Sequence, residues 1–403
     1  MKVYLVGGAV RDKLLGLPVA DRDWVVVGAS EEEMLAQNYQ RVGKDFPVFL
    51  HPETKEEYAL ARKERKTGKG YGGFDFETGR EVSLEEDLSR RDLTINAIAQ
   101  DLQGGIVDPY GGRSDLAHRK LRHVSPAFRE DPLRILRVAR FYARFYHLGF
   151  EVDLATQALM HEMIEASALQ ELVADRLWVE FAKGLSERSP QAFVGCLLET
   201  GALESLLPAL AKSLQATDNY ALGEPNTLKR IKSALQTSEQ HCLSVDERWA
   251  VLCHAVGFTA RPRNLLLSPP EKVENPDVAR LCETVKAPKL ASRLAVAANV
   301  LLPSLLAANR LKPDYILQLL ELCDAFRQSS LLEPLMRIAN SINATSPDQP
   351  SGNLCASVFL LDCQRVCLAI DSAAFARHGL EGAEVGEAIR VARKIAIAEL
   401  LKE

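Results

Sequence analysis

Asp21-Arg22-Asp23 stands directly before the apolar run 24–27, and on an extended chain residues i and i+2 point to the same side. Two carboxylates on one strand face can hold Mg²⁺ against the phosphates of a nucleoside triphosphate. Two such ions, about 4 Å apart, would activate an attacking 3′-hydroxyl and stabilise leaving pyrophosphate. The competing reading is a pair of surface turn residues. Upstream, Gly7-Gly8-Ala9-Val10-Arg11-Asp12 follows a strand-like run and opens a helix. Glycines let backbone N–H groups approach a phosphate, and a helix N-terminus favours an anion. Arg11 would add a two-pronged clamp. Most Gly-Gly pairs are only turns; the acids that follow favour the functional reading.

A second group lies further on. Arg90-Arg91-Asp92-Leu93-Thr94-Ile95-Asn96 reads as a helix start, with Arg91 suited to a phosphate and Asn96 to a ribose hydroxyl. Asp92 would cap that helix or position Arg91; a capped surface helix is the alternative. Asp108-Pro109-Tyr110-Gly111-Gly112 reads as a turn before a helix, structural rather than catalytic. Glu130-Asp131-Pro132-Leu133-Arg134 then opens a helix, with Pro132 tolerated in its first turn. Asp131 and Arg134 are three residues apart and so are neighbours on the helix. The carboxylate only accepts and the guanidinium only donates. Cytosine and adenine each offer an amino donor beside a ring-nitrogen acceptor, whereas uracil and guanine present the reverse order. One Asp plus one Arg can therefore admit C and A and reject U and G. An arbitrary Asp-x-x-Arg pair is more often a plain surface ion pair. Each step of three residues falls about 60° short of a full turn, so residues 131–140 cover half the helix circumference. Arg137 and Arg140 would therefore reach phosphates rather than the same base.

The elements that must hold these groups have two textures. Up to about residue 123, short β-rich runs alternate with helical ones: 3–6, 24–27, a pair at 46–50 and 58–61, 106–107, and 121–124. Beyond Ser125 apolar residues recur at helical spacing, in 131–148, 154–164, 176–185 and 191–198, and on through most of 200–403. The Pro-rich stretch 258–280 reads as a loop or boundary. An α/β head of about 125 residues and an all-helical neck and body follow from this.

Composition narrows the class. The chain has 403 residues, 47% hydrophobic and 26% charged, enough for two or more cores and too apolar for disorder. No run of about 18 uncharged apolar residues exists and no signal-peptide pattern opens the sequence, so no membrane partner is expected. All eight cysteines fall at or after Cys196 and none forms C-x-x-C, which fits a reducing cytoplasm. Residues 1–150 carry 24 Lys+Arg against 23 Asp+Glu, and the rest 25 against 31. A nucleic acid would have to be held by local patches, such as 62–69, 119–122 and the Arg134, Arg137, Arg140, Arg144 series. The first two patches, taken alone, read as solvated faces.

The ordered set GGAVRD, DRD, RRDLTINA, DPYGG with SDL, and EDPLRILRVARF resembles the class II tRNA nucleotidyltransferases, the bacterial CCA-adding enzymes, and their sister group, the bacterial poly(A) polymerases. The match covers residues 1–150, and the weaker run 174–180, ADRLWVE, extends it to about 200. The resemblance implies an α+β head of polymerase-β-like nucleotidyltransferase type followed by an all-α neck, body and tail. The expected divisions are a head at 1–124, a neck at 125–205 with the nucleotide-selecting helix, a body at 206–330 and a tRNA-binding tail at 331–403. It implies template-independent addition of C, C and A to tRNA from CTP and ATP, with Mg²⁺. Asp21 and Asp23 would be the catalytic metal carboxylates. Gly8, Arg11, Arg91, Arg137 and Arg140 would contact the nucleotide, and Asp131 and Arg134 would select the base. Glu57 falls where a further carboxylate is often found. The glycine-rich run 66–79 is similar to the loop that switches addition from C to A. A monomer or weak dimer is expected. Poly(A) polymerase and a non-catalytic RNA-binding relative are the rival readings. The acidic C-terminal region, lacking a strongly basic extension, disfavours the first; intact Asp21, Asp23 and Arg91 disfavour the second.

One departure stands out. Some members carry a C-terminal HD domain that hydrolyses phosphoesters at a metal through adjacent His-Asp. Here Leu252-Cys253-His254-Ala255-Val256-Gly257 occupies the similar place, and a methyl group cannot ligate a metal. A remnant of that domain without hydrolase activity is expected, with His254 a core or surface histidine.

Overall fold

Runs of valine and other β-formers between glycine turns become the central sheet of the computed structural model. The structure describes residues 1–42, 48–66, 74–216, 227–257, 269–327, 330–343, 352–371, 375 and 382–402, with backbone alone at 64–66, 74–78 and 352–356. The chain divides into two units, Met1–Leu206 and Leu207–Glu403.

In the first unit, β1 (Lys2–Val6), β2 (Asp23–Val27), β3 (Gln40–Val42), β4 (Val48–Leu50), β5 (Glu57–Leu60), β8 (Ala99–Asp101) and β9 (Ile106–Val107) form a seven-stranded sheet. Its order is β3-β4-β5-β2-β1-β8-β9. Only β2 and β5 run parallel; the other neighbours are antiparallel. Because side chains alternate along a strand, Val25 packs on one face with Val6, Leu84 and Leu88, and Val26 packs on the other with Met34, Phe49 and Leu60. Both faces are therefore buried. The register sets Asp23 opposite Val6 on β1 and opposite Glu57 on β5. A separate hairpin joins β6 (Arg62–Lys66) to β7 (Phe74–Thr78). Most of the glycine loop expected to switch specificity, 67–73, lies outside the described residues.

The helices of this unit are α1 (Gly8–Leu14), α2 (Glu31–Ala36), α3 (Leu84–Ser89), α4 (Gly112–Ala117), α5 (Leu133–Phe145), α6 (Leu154–Glu165), α7 (Ala174–Ser186), α8 (Pro190–Glu199) and α9 (Ala202–Leu206). Ser83 and Glu86 form a reciprocal capping box that starts α3, worth about 1 kcal/mol. The strands β10 (Lys120–Leu121) and β11 (Glu151–Val152) pair in parallel across α5. Buried Ile135, Leu136, Val138 and Ala139 make one side of α5 the seam against α7 and α8, and its arginines take the other positions.

Two sequence expectations need correction. Arg90-Arg91-Asp92 does not start a helix: Arg90 is the C-cap of α3, and a short 3₁₀ turn, Thr94–Asn96, follows. The α5 helix begins at Leu133, with Pro132 at its N-cap, so Asp131 precedes the helix. Proline tolerates the helical start but forces its predecessor into extended backbone, and Asp131 has φ −125° and ψ 104°.

The second unit is helical: α10 (Pro208–Gln215), α11 (Thr227–Gln236), α12 (Val245–Cys253), α13 (Pro276–Thr284), α14 (Lys289–Leu306), α15 (Pro313–Leu322), α16 (Leu332–Asn343), α17 (Gly352–Leu368) and α18 (Ala383–Leu400). The α14 helix is long and apolar enough to cross a bilayer, with mean hydropathy 1.3. It carries Arg293 paired with Asp324 at 2.9 Å, and its apolar residues are buried against α12 and α16, as a core helix. His254 is buried at the end of α12, where Asn299 Nδ2 of α14 donates to the carbonyls of Cys253, His254 and Val256.

Candidate active site

The turn between β1 and α1 opens onto a cavity of about 930 Å³ within the first unit. Gly7 has φ 69° and ψ −129°, a conformation that excludes other residues without strain. A Cβ there would sit 2.8 Å from Arg91 Nη1, so glycine also lets that guanidinium lie across the turn. The Gly7 N–H is already donated to Ile98 O at 3.2 Å. The donors left for an anion are those of the first turn of α1, where Gly8 and Ala9 line the cavity.

Behind the turn, buried charges are locked together. Arg11 is 3% exposed; its Nε donates to Asp12 at 2.8 Å, its Nη1 donates to Asn96 Oδ1, and its guanidinium lies over Phe141 and Phe145. Burial lowers its pKa, and Asp12 opposes the shift. Arg144 reaches the other oxygen of Asp12 at 2.9 Å. Asn96 donates to Asp92 Oδ1 at 3.0 Å, and Arg137 donates to Asp92 Oδ2 at 2.7 and 2.6 Å. Burial alone would push the Asp92 carboxyl up. Arg137 and the hydrogen bonds from Asn96 and the Leu93 N–H outweigh it and hold Asp92 far below the carboxylate range. Asp92 thus positions Arg137, and Asp87 holds Arg90 at 2.7 Å and Arg91 at 3.3 Å.

On the next wall, Asp131 accepts from both Nη atoms of Arg176, at 3.3 and 2.8 Å, and from the Leu133 N–H at 3.1 Å. Arg134 is buried and donates to the carbonyls of Ala127 at 2.7 Å and Arg90 at 2.6 Å, which fixes the plane of its guanidinium. Arg140 lies 3.3 Å from Glu180 and over the Phe141 ring. Ten arginines and lysines line the cavity against seven carboxylates, a surplus suited to a polyanion.

Asp12, Asp92 and Asp131 are paired with arginines, but Asp21, Asp23 and Glu57 are not. Among the described residues these three carboxylates make no hydrogen bond or ion pair, although all three residues line the cavity. Asp23 begins β2, Asp21 lies two residues before it, and the intervening Arg22 sits 3.6 Å from Glu56 instead. Lost hydration raises the Asp23 pKa; Arg91 pulls it down and Asp21 adds to the rise. A second carboxylate whose charge opposes ionisation of Asp23 fits a shared divalent cation. Among the described residues no three His, Cys, Asp or Glu side chains form a metal cage. A pair of carboxylates suits Mg²⁺, which takes one or two of them and completes its shell with waters and substrate phosphates.

The structure therefore brings Gly8, Arg11, Asp21, Asp23, Arg91, Asp131, Arg134, Arg137 and Arg140 to one cavity. It gives Asn96 to Asp92 and Arg11 rather than to solvent. Sequence reasoning gave no role to Arg176, Lys183 or Glu187, which also line the cavity. With Glu180 they recur on one face of α7 at spacings of four, three and four, a pattern that reads in sequence as a solvated face. The structural reading of residues 108–112 is supported: Asp108 accepts from the Gly112 and Arg113 N–H groups at the start of α4. In the 119–122 patch, Lys120 pairs with Glu151, and Arg122 with Asp115 and Asp153.

Residues 3–122 match the poly A polymerase head domain, and residues 149–214 match the probable RNA and SrmB-binding site of polymerase A. A multifunctional CCA protein of Pseudomonas aeruginosa (strain LESB58) is 43% identical over 415 residues, spanning 100% of this chain and 99% of the relative. In fold, the chain resembles a CCA-adding enzyme in complex with ATP, with TM-score 0.69 and 22% identity over 99% of this chain and 86% of that one. It also resembles the Thermotoga maritima CCA-adding enzyme complexed with tRNA, with TM-score 0.66 and 20% identity over 100% and 90%. Full-length identity to the Pseudomonas relative, together with a head of the matched type that carries the acid pair and the glycine turn, shows that the chain belongs to the multifunctional CCA protein family.

Proposed function

We infer that the chain adds C, C and A to the 3′ end of tRNA from CTP and ATP, without a nucleic-acid template and with release of pyrophosphate. The observation that carries this is the pair of unpartnered carboxylates, Asp21 and Asp23, in a cavity where the other aspartates are neutralised by arginine. Mg²⁺ held by Asp21 and Asp23 would supply Lewis-acid activation of the hydroxyl and of the α-phosphate. The protein's own groups do the rest. The first turn of α1 and Arg91 hold the triphosphate, and Arg137 and Arg140 carry positive charge to the same wall. The tRNA 3′-oxygen forms a bond to the α-phosphorus as the bond to pyrophosphate breaks. Asp131 accepts from the amino group of cytosine or adenine, and Arg134 donates to the adjacent ring nitrogen. Two carbonyls fix Arg134 and Arg176 fixes Asp131, so the reading edge is set before the nucleotide arrives.

The remaining assignments follow the same reading. The head spans 1–124, the neck 125–205, a body with a remnant of the HD domain 206–330, and a tRNA-binding tail 331–403. The tail's exposed Arg365, Arg390 and Lys394 each face a carboxylate, Asp362, Glu321 and Asp314, which a tRNA phosphate would have to replace. A cytoplasmic location follows from a tRNA substrate and from free cysteines at Cys196, Cys242, Cys253, Cys282, Cys323, Cys363 and Cys367.

The test is incubation with tRNA lacking its 3′ CCA, supplied with CTP and ATP, and sequencing of the product terminus. The expected product ends in a single CCA, and CTP alone gives CC. A run of A from ATP alone would instead establish the poly(A) polymerase reading.

A further inference from the structure

Cys253 ends α12 and Cys282 lies in α13, and their thiols share a hydrogen bond inside the second unit. Both are buried. Two features set Cys282 apart from Cys196 and Cys323, which are also buried. Its sulfur accepts from Trp249 Nε1 at 3.5 Å and lies beside the Ser292 hydroxyl, and it lines a cavity of about 760 Å³ together with Lys286 and Arg293. A sulfur that receives several hydrogen bonds is stabilised as thiolate. The bond from Cys253, then the Trp249 N–H and the Ser292 hydroxyl, outweigh burial and bring the Cys282 thiol below its ordinary value. Burial pushes the Cys196 and Cys323 thiols up to about 12, and Cys253 is also raised and remains a thiol. The backbone around the pair is already tied. Asn299 donates to the Cys253 carbonyl at 3.3 Å and accepts from Asn275, the N-cap of α13, at 2.7 Å. One α14 side chain thus spans the end of α12 and the start of α13.

We propose that Cys282 and Cys253 form a redox-active thiol pair, in which a small hydroperoxide entering this cavity oxidises Cys282 and Cys253 resolves it to a disulfide. The Cys282 thiolate attacks one peroxide oxygen; the S–O bond forms as the O–O bond breaks, and hydroxide leaves and is protonated to water. The Cys253 sulfur then attacks the Cys282 sulfur. The S–S bond forms, the S–O bond breaks, and the departing oxygen takes the Cys253 proton and leaves as water. The pair loses two electrons and the hydroperoxide gains them. Transient, sensing disulfides of this kind are the form that a reducing compartment permits.

The test uses the full-length reduced protein, folded, with hydrogen peroxide, and follows each cysteine by differential alkylation and peptide mass mapping. Cys282 should react about tenfold or more faster than Cys196 and Cys323, following its greater thiolate character and its place on the cavity wall. A Cys253–Cys282 linked peptide should then appear and revert with a dithiol reductant. In Cys253→Ser the link is lost and a Cys282 sulfenic acid is trapped by dimedone. Equal rates at Cys282, Cys196 and Cys323, or a link from Cys282 to another cysteine, would overturn the proposal. If the variant does not fold, the rate comparison within the unmodified protein decides the matter alone.

Discussion

A carboxylate among arginines is ordinarily neutralised by one of them, as Asp92 is by Arg137, Asp131 by Arg176 and Asp12 by Arg144. Among the described residues Asp21 and Asp23 have no such ion pair; lost hydration raises the Asp23 pKa, and the nearby Asp21 charge adds a smaller share. Removing either acid would take away the proposed Mg²⁺ site without touching the core. Asp21→Ala and Asp23→Ala should each lower incorporation of CMP and AMP by about a thousandfold or more, since metal stabilisation of the transition state is worth several kcal/mol. Gel-shift affinity for tRNA should persist. Incorporation at the unmodified rate would remove the metal role. Arg11 shows how much a residue type leaves unsaid at this scale. A guanidinium after Gly-Gly reads as a phosphate clamp, yet here it is deeply buried, bonded to Asp12 and Asn96 and seated on two phenylalanine rings. Its proximity to the phosphate turn was legible; its partners were not, because Asn96 is 85 residues away.

Helices α5 and α7 act as a pair: α5 supplies Arg134 and Arg137, and α7 supplies the arginine that pins Asp131. Arg176→Ala should free the Asp131 carboxylate to rotate. The preference for CTP over UTP, measured as the ratio of kcat/KM, should fall by about tenfold, in line with the loss of one charged hydrogen-bonding partner. A merely structural role would lower both rates and leave the ratio intact, and that outcome would exclude positioning. On the proposed reading of the body as an HD remnant, Ala255, just past α12, stands where a metal-ligating Asp would be needed, and His254 is buried in the helical core. No 2′,3′-cyclic phosphodiesterase or phosphatase activity dependent on Ni²⁺ or Mg²⁺ should be found. A robust signal mapped to residues 220–330 would contradict this.

Across the first unit, stability is tied to buried ionised carboxylates. Asp92 and Asp87 both titrate below their ordinary value. For Asp87, burial opposes the shift and Arg90 and Arg91 produce it. A depressed carboxylate stabilises the fold fully above the unfolded value of about 4, and that stability is lost as pH falls below it toward the folded value. Urea unfolding of the full chain should therefore show a steep loss of stability below about pH 4. Asp92→Asn should be less stable at neutral pH and flatter with acid, because its side chain no longer titrates. An acid slope as steep in Asp92→Asn as in the unmodified chain would show that Asp92 carries none of it.

The strands 3–6 and 24–27, the hairpin of β4 and β5, and the helical run after Ser125 were all set by local periodicity and turn chemistry, which act within a few residues and are written in order along the chain. So were the acid pair and the glycine turn, since strand alternation and positive φ are local properties. The tertiary structure alone decided which charge answers which. It turned a foreseen helix start at Arg90 into a helix end, delivered Arg176 to Asp131 and Arg11 to Asn96, set Glu57 beside Asp23, and, among the described residues, left Asp21 and Asp23 without a direct ion pair. Ion pairing depends on distances between segments separated by tens of residues, and no pattern along one chain states those distances.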